Sequence, residues 1–342
     1  MTIEQIKDKL KSKEYDFLRT DKNLGNNIII LTLGGSHAYG TNNEGSDLDI
    51  RGCALNSKMQ ILTNENFEQF VNNETDTTIY AFNKLVALLS NTNPNTIEML
   101  GNKPEHYFYV SPIGQELIDN AHLFLSKRAC HSFGEYANQQ LYRLNQKAAH
   151  QMSQSELEKH ILKTLEFMQT DFTKKYTPYS DDSMKLYIDK AVQEGYDTEI
   201  FMDVNLTHYP LRDYCSMWNE LQNTVRQYGK IGKRNEKAIE HGKIAKHSMH
   251  LIRLYMMCLD ILEKERIITY REDEHDLLMD IRNGKYLDSN NQPIPEFFEM
   301  VNDYEKRLDY AKKNTSLPDN PNYKAINEFV ASVNERVVKG EI

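Results

Sequence analysis

The feature that most restricts what this chain can become is an apolar, largely β-branched run that stops at Gly-Gly-Ser and is followed, after ten intervening residues, by a pair of aspartates. Asn27-Ile28-Ile29-Ile30-Leu31-Thr32-Leu33 has the length and composition of a buried strand. Gly34-Gly35-Ser36 follows it directly, and Asp47-Leu48-Asp49-Ile50 opens a second alternating run that reads as a strand to Gly52. Glycines at the end of a buried strand let the backbone turn sharply and approach a ligand closely, and N–H groups at the start of a following helix attract phosphate oxygens. Ser36 adds a hydroxyl at the same point. On a strand, Asp47 and Asp49 share one face while Leu48 and Ile50 turn to the core. Two such carboxylates are hard oxygen ligands for Mg2+ or Mn2+, and a pair of ions about 3.5–4 Å apart polarises a phosphoryl group and stabilises its leaving group. A tight turn and a solvated strand end would explain each piece singly; their order and spacing together point to chemistry.

Composition places this motif in a soluble globular protein. With 342 residues, 39% of them hydrophobic and 27% charged, the chain can bury one large core or two smaller ones. Cys53, Cys130, Cys215 and Cys258 are far apart and form no C-x-x-C pair, which reads as reduced thiols. No apolar run approaches the roughly 20 residues that span a bilayer, and the mixed charges of the first residues do not resemble a signal peptide. A cytoplasmic location is the expectation, in the host cytoplasm if the protein is phage-encoded.

The chain divides by character. Residues 26–110 read as mixed α/β, with a third extended piece at Thr77-Thr78-Ile79-Tyr80 leading into a helical pattern that ends before Asn93-Pro94-Asn95. Beyond 112 the apolar residues recur at helical spacing in Leu123–Leu144, Gln154–Gln169, Met184–Glu194, Leu211–Tyr228, Glu236–Glu265 and Phe297–Lys313. This gives a domain at 1–110 and a helical domain at 111–342.

Charge is uneven. The formal net charge is -9, yet Arg226 to Arg253 holds eight Lys and Arg against two acids, an excess suited to phosphates. On a helix Lys246, His250 and Arg253 fall on one stripe, with Lys243 a turn earlier. Arg grips two oxygens at once and Lys acts as a point charge. A solvated helix face with a packed His250 is the bland alternative.

The segments Gly35-Ser36-His37-Ala38-Tyr39-Gly40 and Gly45-Ser46-Asp47-Leu48-Asp49-Ile50-Arg51-Gly52 resemble those of the DNA polymerase beta nucleotidyltransferase superfamily, in particular the predicted nucleotidyltransferases of phages and bacteria related to RNA-repair-associated polymerase beta-like proteins. Asp76, Phe82-Asn83-Lys84-Leu85 and Asn93-Pro94-Asn95-Thr96-Ile97-Glu98-Met99-Leu100 are similar to that family too. So are Lys246-His247-Ser248-Met249-His250-Leu251-Ile252-Arg253-Leu254, Arg271-Glu272-Asp273 and Ile281-Arg282-Asn283-Gly284, in patches over about 28 to 287.

The resemblance implies an α+β fold: a catalytic domain with a mixed sheet, followed by an all-α helical domain that completes the NTP site. It implies that Asp47, Asp49 and Asp76 bind the catalytic Mg2+ or Mn2+ as a pair of ions, with Asp76 acting as or orienting the base for the acceptor hydroxyl. Glu74, two residues earlier, competes for that role. Gly34, Gly35, Ser36, Tyr39, Lys84, Lys243, Lys246, His250 and Arg253 are the candidate nucleotide-binding residues, Tyr39 either stacking on base or ribose or plugging the turn. The expected reaction is attack of an acceptor hydroxyl on the α-phosphate of an NTP such as ATP, with release of pyrophosphate. An RNA end, tRNA among them, is one candidate acceptor. A glycosyltransferase with an Asp-x-Asp site, an inactive nucleotide or RNA binder and a protein nucleotidylyltransferase are the rival readings.

Overall fold

The computed structural model describes residues 1–134, 137, 154–192, 198–239, 243–289, 291 and 293–342. Its main sheet has five strands: β1 (Ile28–Leu33), β2 (Ile50–Ala54), β3 (Gln69–Asn72), β4 (Thr77–Ala81) and β5 (Tyr107–Val110), in the order β3-β4-β2-β1-β5. β1 runs antiparallel to both β2 and β5, whereas β2 and β4 are parallel. The sheet is therefore mixed, and the α+β expectation holds.

Every residue of β1 is buried because both faces of the sheet are covered, which is why its sequence is a continuous apolar run rather than an alternation. Leu31, Leu33, Ile50 and Ile79 pack on one face with Ile6, Leu10, Tyr15 and Leu18. Ile30 and Cys53 pack on the other with Phe82, Leu85 and residues of the C-terminal helices such as Leu254 and Cys258.

Register decides where the carboxylates lie. Leu33 pairs with Ile50, so Gly34 falls opposite Asp49 and its N–H donates to the Asp49 carbonyl at 2.9 Å. In the parallel pair, Ile50 aligns with Thr77, and the Ile50 N–H donates to the Asp76 carbonyl at 3.2 Å. Asp49 and Asp76 thus enter adjacent strands side by side. The second strand begins at Ile50 rather than Asp47; Asp47 to Asp49 form its approach.

Two compact units are present: residues 1–139, 249–286 and 295–342 form one, and residues 140–248 and 287–294 the other. This division differs from a break at 110. In the second unit the expected helix at Met184–Glu194 is replaced, over its described residues, by a strand. β6 (Met184–Lys190) pairs antiparallel with β7 (Thr198–Val204), correcting the all-α expectation for this region. Met184 and Leu186 alternate at the strand period, as do Ile200 and Met202, and this face packs on Ile161, Leu165, Phe172, Met217 and Leu221.

The other helical expectations place helices at Gln154–Lys175, Leu211–Ile239, Lys243–Lys264 and Pro295–Asn314. Of Leu123–Leu144, residues 128–134 are helical and most of the remainder lies outside the described residues. A helix at His275–Arg282 ends in the Ile281-Arg282 segment that resembles the family's C-terminal helices, and one at Tyr323–Lys339 has no assigned helical run. Among the described residues no helix is long and apolar enough to cross a membrane.

Candidate active site

After β1 the chain turns at Gly34 and enters a short helix, Gly35–Tyr39, that ends at Gly40 in the left-handed region. Gly35 itself has φ +57°, a conformation costly for residues with a side chain. It is also crowded: a Cβ there would lie 1.8 Å from Asp49 Oδ2. The glycine turn and the Asp49 carboxylate are thus in direct contact. Gly40 is crowded as well, the ring of Tyr270 lying 2.6 Å from where a Cβ would stand.

Arg51 organises the carboxylates. Asp49 stands two residues before Arg51 at the entry to β2, and the Arg51 guanidinium reaches back to it. Its Nη2 lies 3.0 Å from Asp49 Oδ1 and 3.2 Å from Asp76 Oδ1, while Nη1 donates to the Asp76 carbonyl at 2.6 Å. Burial lowers the Arg51 pKa, but the charges of Asp49 and Asp76 outweigh it and leave the pKa raised. Asp76 occupies a positive φ of 45°, which Asp tolerates better than most residues. Sequence reasoning gave Arg51 no role, although its place two residues after Asp49 was a usable signal.

Asp47, Glu74 and Asp76 line one cavity of about 430 Å³ together with Glu14 and Tyr15. Burial, then the charges of Glu14 and Asp76, push the Tyr15 hydroxyl up to about 12. Asp47 is exposed and Asp49 half-buried. Among the described residues, no group of three His, Cys, Asp or Glu is gathered to hold a metal ion. The donor set at Asp47 and Asp49 fits a hard divalent cation in kind, two carboxylates two residues apart, with Asp49 and Asp76 both engaged by Arg51.

Several expected nucleotide ligands stand elsewhere. Arg253 is 1% exposed, with Nη1 3.3 Å from Glu98 Oε2 and Nη2 3.2 Å from His250 Nδ1. Its guanidinium carbon sits 3.6 Å from the centre of the Tyr39 ring, and the Tyr39 hydroxyl bonds both Glu98 oxygens at 2.9 Å. Burial raises the Glu98 carboxyl, with Arg253 opposing, and raises the Tyr39 hydroxyl. Tyr39, His250 and Arg253 therefore form a buried brace behind the Gly35–Tyr39 helix: Tyr39 plugs the turn, and Arg253 does not face a triphosphate. The brace extends to Thr269, whose hydroxyl donates to the Glu98 carbonyl at 2.6 Å, and to Arg271, whose N–H donates to the Tyr39 carbonyl at 3.1 Å.

Lys84 is also misplaced for that role. It pairs with Glu68 at 2.9 Å and follows the far end of β4 from Asp76, roughly 16 Å of strand away. Ser36 is buried within the glycine turn, and its carbonyl accepts from the Thr41 N–H at 2.9 Å. Lys246 is exposed in the other compact unit. The side chain of Lys243, like those of residues 226–239, lies outside the described residues.

Residues 5–332 match the family described as the RNA repair pathway DNA polymerase beta family. No curated protein and no solved structure matches the chain.

Proposed function

The chain belongs to the RNA repair pathway DNA polymerase beta family, and from that membership and the site we propose that it transfers a nucleotide from an NTP to an acceptor hydroxyl, releasing pyrophosphate. The observation that carries this reading is the contact between the Gly35 backbone and the Asp49 carboxylate. It sets a turn suited to phosphate oxygens directly beside oxygen donors suited to a cation.

In this reading Asp47 and Asp49 hold Mg2+ or Mn2+. Two such ions, when bound, polarise the α-phosphate and neutralise charge on the departing pyrophosphate. Gly34 and Gly35 let the triphosphate approach the main chain. Arg51 keeps Asp49 and Asp76 in register, and Asp76, lining the cavity beside Asp47, orients the acceptor hydroxyl and takes its proton. Glu74 lines the same cavity, but Asp76 is the carboxylate tied to Asp49 through Arg51.

The family's description supports an RNA end as the acceptor, and a tRNA end is one such candidate. The test is incubation with each α-labelled NTP, with and without Mg2+ or Mn2+, and with total RNA. Label on RNA that RNase removes is expected. Label on an RNase-resistant protein band would replace RNA with a protein acceptor, and binding of NTP without transfer would make the chain an inactive nucleotide binder.

A further inference from the structure

The helix His275–Arg282 ends in a residue that turns onto the loop ahead of Asp47. Arg282 Nη2 donates to Ser46 Oγ at 3.0 Å. That hydroxyl donates in turn to Asn43 Oδ1 at 2.9 Å and accepts from the Asn43 N–H at 2.8 Å. The guanidinium thereby grips the tight turn that delivers Asp47.

Its other end is unsatisfied. Nη1 is buried and has no hydrogen-bond partner among the described residues. Buried guanidinium donors are costly to leave unmade, so such an atom calls for an acceptor that the described residues do not supply. Burial lowers the Arg282 pKa, as expected of a cation without a counter-charge. The same cluster includes buried His37 of the Gly35–Tyr39 helix, which feels the Arg282 charge. A cation with no ion pair among the described residues thus touches the Asp47 approach through Ser46 and acts on His37 of the glycine-turn helix. The turn it holds lies open to solvent, Asn43, Glu44 and Gly45 all being exposed.

We propose that Arg282 is the phosphate ligand of this site: Nη1 donates to an oxygen of the bound triphosphate as the 43–46 turn shifts, while Nη2 keeps Ser46 and so couples nucleotide binding to the placement of Asp47. The inference rests on the nucleotidyltransferase reading and names the residue that recognises the polyphosphate, whatever the base.

The probes are Mg·ATP, inorganic tripolyphosphate and adenosine, titrated calorimetrically into the wild type and the Arg282→Met, Arg282→Lys and Ser46→Ala variants. Arg282→Met should weaken ATP and tripolyphosphate alike, by roughly 10- to 100-fold for one lost charge-assisted hydrogen bond, and leave adenosine unchanged. Arg282→Lys, which keeps the charge and loses the fork, should fall between. Ser46→Ala should lose much less. Wild-type tripolyphosphate affinity in Arg282→Met, or an equal loss in Ser46→Ala, would overturn the proposal. A misfolded Arg282→Met leaves the question to Arg282→Lys, whose unaltered affinity would overturn it as well. If wild type binds tripolyphosphate through Arg282 yet transfers no nucleotide, the nucleotidyltransferase reading fails and the anion site stands.

Discussion

Gly35 and Asp49 are packed so closely that a methyl group on the glycine would overlap Oδ2 of the aspartate, the two being 1.8 Å apart in that substitution. Gly35→Ala therefore combines this clash with the strain of φ +57°. The variant should lose more than about 1 kcal/mol of stability and nearly all transfer activity, measured by urea unfolding and by pyrophosphate release. Gly45, where a Cβ would meet only Asn43 Oδ1 at 3.9 Å, is the control, and Gly45→Ala should remain folded and active. Full activity in Gly35→Ala would show that Asp49 can move aside freely.

Arg51 joins two carboxylates that would otherwise repel. Its side chain is 19% exposed. Arg51→Met should cost roughly 1.5–3 kcal/mol, as expected for hydrogen bonds to charged groups, and should lower kcat more than it raises KM for NTP. Arg51→Lys should rescue little, because one ammonium cannot span both partners. The check is a denaturation series alongside a kinetic split, and near-complete rescue by Lys would mean that charge alone is required.

Arg253 is expected to matter for folding rather than for gripping phosphate. Arg253→Ala leaves Glu98 buried without its cation and should cost about 3–5 kcal/mol. Replacing both, Arg253→Met with Glu98→Leu, should recover part of that loss. Wherever the variants fold, KM for NTP should stay near wild type. An intact fold with a greatly raised KM in Arg253→Ala would restore the expectation drawn from its place on the cationic stripe.

His37 gives a pH dependence of definite sign. Burial first, opposed by a hydrogen bond to the Ser46 backbone and aided by the Arg282 charge, lowers its pKa from the ordinary 6.5. The folded state then binds fewer protons than the unfolded state just below that pH, so the His37 contribution to stability is full above 6.5 and is lost as pH falls through the depressed folded value. Chemical denaturation between pH 7 and 5 should show this fall in the wild type and a shallower one in His37→Gln. Equal slopes would show that His37 titrates normally.

Much of the site was legible because its signals are local. A β-branched run marks β1, and glycines mark a turn that needs φ +57°; the alternation read as a strand face for Asp47 and Asp49 becomes strand only from Ile50. The partnership of Asp49 with Asp76 is not local: it depends on the parallel register of β2 with β4, visible only once Ile50 is paired with Thr77. Arg253 was misread for a related reason. Helical spacing shows that Lys246, His250 and Arg253 share a stripe, but not whether Glu98, 155 residues away in sequence, waits to bury its end. The Met184–Lys190 strand was missed because Met184 and Ile188 satisfy the helical and strand periods alike.

The most direct measurement is pyrophosphate release from α-labelled NTP by wild type, Asp47→Asn and Asp49→Asn in Mg2+ with RNA present. Each substitution keeps the side-chain shape and removes the charge that would hold the cation. The wild type should transfer label, and both variants should lose transfer by at least about 100-fold while melting within a few degrees of wild type. Undiminished transfer by either folded variant would contradict the assignment of these carboxylates to catalysis.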